Sequence, residues 1–193
     1  PKRIFLAAGA FLSVQVTFYI LIAFMLAYGV TSANMARDDM LTAVLIASAI
    51  MVPIQFVFSS YSDRHGRKGI FMLGAILTAI WAFVIFPLVD TGNFYLIVLA
   101  ISGGLIFLAM MYGPQAAFFT ELFSTEVRYS GATLGYQFGA IVGGAFAPTI
   151  AVKLWTEFDI IWVSAYIALA SLLTLISVMA LTETYQSDLN NTD

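Results

Sequence analysis

The sequence predicts an all-α membrane protein, folded as a bundle of six transmembrane helices. Of its 193 residues, 61% are hydrophobic and only 10% are charged, and the mean hydropathy is +0.94; soluble domains carry about 25% charged residues. The charges also cluster, and they leave six charge-free stretches of at least 21 residues each. Composition and charge pattern exclude a soluble globular domain and a disordered chain, and the lack of cysteine excludes a disulfide scaffold.

Each charge-free stretch has the length of a membrane-spanning helix. About 20 apolar residues cross a hydrocarbon core about 30 Å thick, and a charged residue at its centre costs about 2.5–3.5 kcal/mol. Spanning strands are excluded, because the stretches have neither the length nor the alternation of barrel strands. We predict spans at residues 5–30, 40–61, 69–89, 94–118, 131–152 and 160–181, followed by a cytoplasmic tail at 182–193.

The basic residues predict the orientation of the spans. With six spans, both termini share one side of the membrane with the second and fourth loops. That side carries six Lys or Arg residues, and the other side carries two, Arg37 and Lys153. Because cytoplasmic loops are enriched in Lys and Arg, we expect both termini of this segment to be cytoplasmic.

The sequence offers no enzyme site at membrane depth. The single histidine lies in a loop and no pair of aspartates lies within a span, which argues against an intramembrane protease or a membrane haem protein. The Asn-Pro-Ala repeats of water channels and a potassium-type filter are also absent. We therefore predict that the chain is not an enzyme, and that it binds neither metal nor cofactor.

The loop after the second span carries the most specific local pattern. It reads Tyr61-Ser62-Asp63-Arg64-His65-Gly66-Arg67-Lys68-Gly69. Gly66 and Gly69 permit a tight turn between antiparallel helices, since glycine tolerates positive φ. Asp63 is expected to end one helix and to face the positive end of a neighbouring helix. A simple positive-inside anchor would not need Asp and Gly at these spacings.

This loop resembles the Asp-Arg-x-Gly-Arg-Lys signature of the major facilitator superfamily, which follows the second span and, more weakly, the eighth. Residues 113–131 are similar to the region between the tenth and eleventh spans of the metabolite:proton symporters, which include proline/betaine, shikimate and α-ketoglutarate transporters. The resemblance implies that the chain is spans seven to twelve of twelve, the C-terminal half of the major-facilitator fold. A first residue that is Pro rather than Met agrees with this expectation.

The resemblance implies a secondary active transporter in a bacterial inner membrane, a proton symporter that moves a small polar or anionic metabolite by alternating access. Its partners would be the substrate, the lipid bilayer and a missing N-terminal six-helix half, without nucleic acid. No carboxylate lies deep in a span, so the proton carrier is expected in the missing half. The alternative is a complete six-span protein that acts as a homodimeric transporter or channel.

The resemblance also implies that the loop charges form a cytoplasmic gate, whose contacts between helices break when it opens. Exposed ion pairs are worth only about 0–1 kcal/mol each, which suits a contact that opens repeatedly. Arg64, Arg67 and Lys68 are expected to stay in water or to pair with acids, and His65 is expected to be solvated. The gate residues are Asp63, Arg64, Gly66, Arg67, Glu121 and Arg128.

Glycine recurs every four residues along the fifth span, at Gly131, Gly135, Gly139 and Gly143. Positions four apart drift by about 40° around a helix, so these glycines form one stripe that lets another helix approach closely. Gln137 lies nearly opposite this stripe. We expect the glycine face to pack on a helix, and Gln137 either to look into a polar cavity or to bond a neighbouring backbone.

Other polar side chains at membrane depth are few, and each costs free energy in lipid unless it is hydrogen-bonded. In the family, the first and fourth spans of this half line the cavity and the third and sixth face lipid; here the third and sixth contain no Gln, Asn or charge. Ser and Thr are expected to bond their own backbone. The substrate-cavity candidates are Gln15, Tyr19, Gln55, Tyr112, Gln115 and Gln137.

Overall fold

A computed structural model describes residues 2–121 and 128–181 of the chain. Within these two ranges the regular structure is entirely helical, and six helices are long and apolar enough to cross a membrane. This confirms the predicted all-α, six-span fold class. The predicted tail at 182–193 lies outside the described residues.

The six spans are named α1 to α6 in chain order. α1 comprises Lys2–Tyr19 and Met25–Thr31, joined by the π-helical turn Ile20–Phe24. α5 comprises Arg128–Gly139 and Ala147–Glu157, with a second π-helical segment, Ala140–Ala145, between them. The other four spans are α2 (Arg37–His65), α3 (Arg67–Val89), α4 (Phe94–Glu121) and α6 (Ile160–Ala180).

Several helices extend beyond the predicted spans into charged sequence. α2 begins at Arg37 and continues through Asp63 to His65, so the prediction that Asp63 ends a helix is wrong. The apolar pattern reports only the part of a helix that lies in lipid, and charged residues continue the same helix in water. α4 begins where expected, because the Asn93 side chain accepts a hydrogen bond from the Tyr95 N–H at 2.9 Å and caps the helix.

The helices pack in the order α2–α4–α3–α6–α1–α5, and α1 also touches α4. In the most apolar windows of α1 and α4, 61% of the residues are buried, whereas the corresponding share is 11% for α2 and 29% for α5. α1 and α4 are therefore enclosed, and α2 and α5 form the two flanks of the bundle.

A polar joint at membrane depth connects α1 to α6. The Thr174 hydroxyl accepts a hydrogen bond from the Ser13 N–H and donates one to the Gly9 carbonyl, both at 2.9 Å. The hydroxyls of Ser13 and Ser171 are 2.8 Å apart and share another hydrogen bond. The two helices can approach this closely because Gly9 has no Cβ. A Cβ at this position would collide with the Ser177 side chain. The expectation that a membrane Thr bonds its own backbone is therefore wrong for Thr174.

Candidate functional site

The loop between α2 and α3 consists of one residue, Gly66, whose φ is 98°. This positive φ agrees with the prediction for Gly66, but Gly69 lies inside α3 and takes no part in the turn. Across the turn, Arg67 Nη1 donates to Asp63 Oδ1 at 2.8 Å. The Asp63 side chain is 57% exposed and that of Arg67 is 12% exposed, so water screens the pair on the Asp63 side.

Lys68 makes contacts that the expectation of water or an acidic partner did not include. Its Nζ donates to the carbonyls of Met179 at 2.9 Å and Leu181 at 2.7 Å, at the C-terminal end of α6. The last carbonyls of a helix have no partner within the helix and carry its negative dipole end. Lys68 therefore joins the start of α3 to the end of α6, through carbonyls up to 113 residues away that no local pattern could indicate.

The other predicted gate residues are only partly described. Arg64 is exposed, next to the His65 ring, which stacks on Tyr61 with centroids 4.3 Å apart. Glu121 ends α4 and Arg128 begins α5, but the side chains of both lie outside the described residues. The contact of Asp63, Arg64 and Arg67 with these two residues remains a prediction.

The glycines of α5 lie against α1. A Cβ at Gly139 would be 2.5 Å from the Phe11 Cβ, and one at Gly143 would be 3.1 Å from the Leu12 carbonyl oxygen. The packing around Gly131 and Gly135 lies outside the described residues.

Gly144 also contacts α1, although the four-residue pattern did not single it out. A Cβ at Gly144 would be 2.6 Å from the Tyr19 ring. The π-helical segment Ala140–Ala145 explains this contact, because π turns hold more residues than α turns and bring both Gly143 and Gly144 to the α1 side. The adjacent pair Gly143 and Gly144 was the feature of the sequence that could have indicated this contact.

Three of the cavity candidates lie on α1 and α5. The Gln15 side chain is buried, with Oε1 3.6 Å from where a Gly144 Cβ would be, and Tyr19, one turn further on, is 40% exposed. Gln137 is exposed whereas Gly139 is buried. Gln15 and Tyr19 therefore face α5, while Gln137 points away from the packed face of that helix.

The other three candidates lie on α2 and α4. Gly113 lets α4 touch α2, since a Cβ there would be 3.0 Å from the Gln55 carbonyl oxygen. The adjacent Tyr112 is 40% exposed. Gln115 is buried, and its Oε1 has no hydrogen-bond partner among the residues that the structure describes. Gln115 is thus the candidate that most needs a ligand, a water molecule or a rearrangement to satisfy it.

Comparison with known families identifies the fold that carries these residues. The family model of the Major Facilitator Superfamily matches residues 3–192. The chain belongs to the major facilitator superfamily. This confirms the resemblance carried by residues 61–69 and 113–131.

Three bacterial superfamily members show the degree of similarity. The inner membrane metabolite transport protein YhjE of Escherichia coli (strain K12) is 31% identical over 185 residues, which are 92% of this chain and 42% of that protein. The shikimate transporter of the same strain is 32% identical over 169 residues, 83% of this chain and 39% of the transporter. The glycine betaine/proline/ectoine/pipecolic acid transporter OusA of Dickeya dadantii (strain 3937) is 28% identical over 180 residues, 90% of this chain and 35% of OusA.

The chain thus spans about two fifths of the length of the curated relatives it matches. These superfamily relatives are named as transport proteins, which confirms the prediction that the chain is not an enzyme. With six apolar helices of spanning length, the chain is a multi-pass membrane protein of this superfamily.

Proposed function

We propose that this chain is the C-terminal half of a secondary active transporter, with the substrate path between it and an N-terminal six-helix half. The observation that carries the proposal is the family match over residues 3–192 in a chain that covers only 42% of YhjE and 39% of the shikimate transporter. The relatives are named for metabolites, shikimate, proline and betaine. These names support a small polar or anionic metabolite as the substrate.

Exposed polar side chains on three helices support a companion half. Tyr19 of α1 and Tyr112 of α4 are each 40% exposed, and Gln137 of α5 is exposed. Polar groups that face hydrocarbon without a partner cost free energy. A second bundle that encloses a watery cavity against these helices would remove this cost, and rocking of the two halves would then give alternating access.

The proposed gate lies at the Gly66 turn on the cytoplasmic side, where the excess of basic residues places it. Asp63 and Arg67 form its described ion pair, with Arg64, Glu121 and Arg128 as further members. Because Asp63 is largely exposed, the pair is worth about 0–1 kcal/mol and can break in each cycle.

The proposal also includes proton coupling. The residue that carries the proton is expected in the N-terminal half. In the described spans, Asp38 and Asp39 lie in the first turn of α2, and Asp63 and Glu157 lie in the last turns of α2 and α5. Glu121 is the last residue of α4, and Asp90 and Asp159 adjoin helix ends. A carboxylate that carries a proton through the membrane must lie deeper. We therefore assign the carrier to the N-terminal half.

Uptake into proteoliposomes tests the proposal. The protein from its complete coding sequence and this chain alone are reconstituted at equal amounts, with an inward proton gradient and labelled shikimate, proline or betaine as probes. We expect saturable, gradient-driven uptake of one probe by the complete protein and background uptake by the chain alone. Circular dichroism must show that the isolated chain is helical.

Two results would contradict the proposal. Saturable uptake by the folded, isolated chain would contradict the half-transporter and support a homodimer of six-span chains. Uptake by the complete protein that does not respond to collapse of the proton gradient would contradict proton coupling.

A further inference from the structure

Four buried side chains carry an oxygen without a hydrogen-bond partner among the residues that the structure describes. They are Thr17 of α1, Thr78 of α3, and Ser102 and Gln115 of α4. Thr17, Thr78 and Gln115 are only 0%, 2% and 5% exposed. Buried polar groups almost always bond a neighbouring group or an ordered water molecule, so each of these oxygens needs a further partner.

The helices α1 and α3 converge on α4 at Gly104. A Cβ at Gly104 would be 2.7 Å from Leu21 Cδ1 of α1 and 3.5 Å from Ile85 Cδ1 of α3. Thr17 lies four residues before Leu21, and Thr78 lies seven residues before Ile85. Spacings of four and seven residues return to the same side of a helix. Thr17 and Thr78 therefore line the seam between α1, α3 and α4.

Gln115 lines this seam from α4. It lies eleven residues after Gly104, which is about three turns and returns to nearly the same face. Gln115 is also four residues before Phe119, whose ring stacks on Phe11 of α1 with centroids 4.1 Å apart. Because α1 and α4 run in opposite directions, the step from Phe119 back to Gln115 and the step from Phe11 forward to Thr17 lead the same way. Gln115 and Thr17 therefore lie within about two turns of each other along the helices.

Thr17 and Thr78 lie at nearly the same depth in the bundle. The rings of Phe24 in α1 and Phe86 in α3 contact each other with centroids 6.2 Å apart, and the two helices run in the same direction. Thr17 is seven residues before Phe24, and Thr78 is eight residues before Phe86. Counted from this contact, the depths of the two threonines differ by about one residue, or about 1.5 Å.

Small side chains leave room at this level of the seam. The backbones of α1 and α3 do not pack closely within the described residues, and α4 and α6 lie on either side. Ala75 and Ala82 are buried on the same side of α3 as Thr78, and Phe86, which contacts α1, follows on that side one turn later. Long side chains therefore do not fill the space on α3 next to Thr78.

The two buried threonines also differ from exposed threonines of this protein. The hydroxyls of Thr42 and Thr156 donate to the carbonyls four residues earlier, at 2.7 Å and 2.9 Å, as helical threonines often do. The hydroxyls of Thr17 and Thr78 make no such bond. Water donates as well as accepts, so it suits both a hydroxyl and the acceptor oxygen of Gln115, and it brings no charge into the membrane interior.

We propose that the seam between α1, α3 and α4 binds a short row of ordered water molecules, held by the hydroxyls of Thr17 and Thr78 and the side chain of Gln115. Buried water typically bonds about three polar groups that otherwise lack partners. The water joins α1 to α3, whose backbones stay apart, and it places Gln115 inside this bundle instead of on the substrate path. The proposal does not depend on the transport function.

Electron cryo-microscopy of the complete protein in lipid nanodiscs tests the proposal directly, at a resolution that shows ordered water elsewhere in the map. We expect solvent density about 2.5–3.2 Å from the hydroxyls of Thr17 and Thr78 and from the side-chain amide of Gln115. This measurement uses the unmodified protein, so it does not require that any variant folds.

Unfolding in a detergent titration tests whether the two threonines share a ligand. Thr17→Val and Thr78→Val each keep the shape of the side chain and remove one hydroxyl. We expect each to raise the unfolding equilibrium constant about fivefold, the effect of about one lost hydrogen bond. The double variant should also raise it about fivefold, because the shared water is lost only once, whereas independent sites would give about 25-fold.

Ser102→Ala is the matched control. Ser102 is buried, and its hydroxyl also lacks a partner among the described residues. It lies two residues before Gly104, so it points about 200° away from the seam around α4. The effects of Ser102→Ala and Thr17→Val on the unfolding equilibrium constant should therefore multiply.

Three results would overturn the proposal. One is a dry seam in which the hydroxyls of Thr17 and Thr78 donate to the Ser13 and Gly74 carbonyls of their own helices. Another is density with oxygen distances of about 2.3–2.6 Å, which would identify a metal cation instead of water. The third is a double variant in which the effects of Thr17→Val and Thr78→Val multiply, since the two hydroxyls would then share no ligand.

Discussion

The Thr174 hydroxyl bonds both ends of one helical hydrogen bond in α1, the Gly9 carbonyl and the Ser13 N–H. In a soluble protein, water could make these hydrogen bonds to the backbone. The hydrocarbon core holds no water that could compete with the Thr174 hydroxyl for them. Hydrogen bonds between membrane helices contribute modestly, about 0.6–2 kcal/mol. The contact also aligns α6 on α1, because the bonded pair and the close approach at Gly9 allow only one register.

Replacing Thr174 with Val keeps the shape of the side chain and removes both hydrogen bonds. We expect the free energy of unfolding in mild detergent to fall by about 1 kcal/mol, because hydrogen bonds between membrane helices contribute about 0.6–2 kcal/mol. The matched control is Thr156→Val, since the Thr156 hydroxyl bonds the Val152 carbonyl of its own helix. Equal losses in the two variants would show that the joint between α1 and α6 contributes nothing.

At the scale of the element, α5 combines a glycine face with a π-helical segment. Gly139 and Gly143 let α1 approach before and within Ala140–Ala145. The next α-helical segment has Pro148 near its start, and proline has no N–H to continue the hydrogen-bond ladder from the preceding turn. The π-helical segment Ala140–Ala145 therefore lies where the sequence itself interrupts the helix. It brings Gly144 as well as Gly143 against α1.

Gly139→Leu places a large side chain against Phe11 and the Ala8 backbone, where even a Cβ would lie 2.5 Å from a neighbouring atom. Overpacking of this kind costs about 1–3 kcal/mol or more, so we expect lower yields of folded protein and loss of uptake. Size-exclusion chromatography and transport assays measure both effects.

Gly69→Leu provides the matched control for this prediction. The substitution is the same, but a Cβ at Gly69 would meet no atom within 4 Å, and we expect a normal yield of folded protein. Normal yield and uptake in Gly139→Leu as well would show that the glycine face of α5 has no packing role.

At the scale of the whole molecule, one cluster joins three helices at the end opposite the Gly66 turn. The Tyr28 hydroxyl of α1 donates to Asp90 Oδ1 after α3 at 2.6 Å. The Tyr28 ring also meets Phe86 of α3 and Trp155 of α5 edge-on, with centroids 5.3 Å and 5.2 Å apart. The cluster holds these three helices together at one end, so that a rocking motion would move them as a unit.

Tyr28→Phe removes the hydrogen bond and keeps the aromatic contacts. A bond to a charged group is worth about 1.5–3 kcal/mol, and partial exposure of Asp90 lowers the expected loss of unfolding free energy to about 1–2 kcal/mol. Denaturant titration in detergent measures it. Tyr95→Phe at the same end is the control, because Tyr95 is 81% exposed; a loss of the same size there would argue against the cluster.

Much of the architecture could be predicted because it depends on local properties. A membrane-spanning helix needs about 20 residues without a charge near its centre, because a charge in lipid costs free energy. The number and type of the spans therefore follow from the charge pattern. The turn at Gly66 was also predictable, since positive φ favours glycine. The end of α2 was not, because charged residues after Asp63 continue the helix in water.

The candidate site was less predictable, because its contacts join residues far apart in the chain. Gln15 and Gln137 have similar polarity, but one is buried against α5 and the other is exposed. Lys68 was expected to stay in water or to pair with an acid, and its local sequence gave no sign of the bond that it makes to a carbonyl 113 residues away. Side-chain chemistry alone does not distinguish these outcomes.

The amino-acid sequence was enough to predict that this protein crosses a membrane with six helices, and its motifs indicated the superfamily. Hydrocarbon excludes charge from each segment separately, so each span can be predicted without knowing which helices lie beside it. The packing of the helices was needed to show that Thr174 bonds α1, that Gly144 contacts Tyr19, and that Lys68 bonds the end of α6. These features depend on which helices meet and at what distance, and helix pairing in lipid is set by close packing rather than by the hydropathy of any one segment.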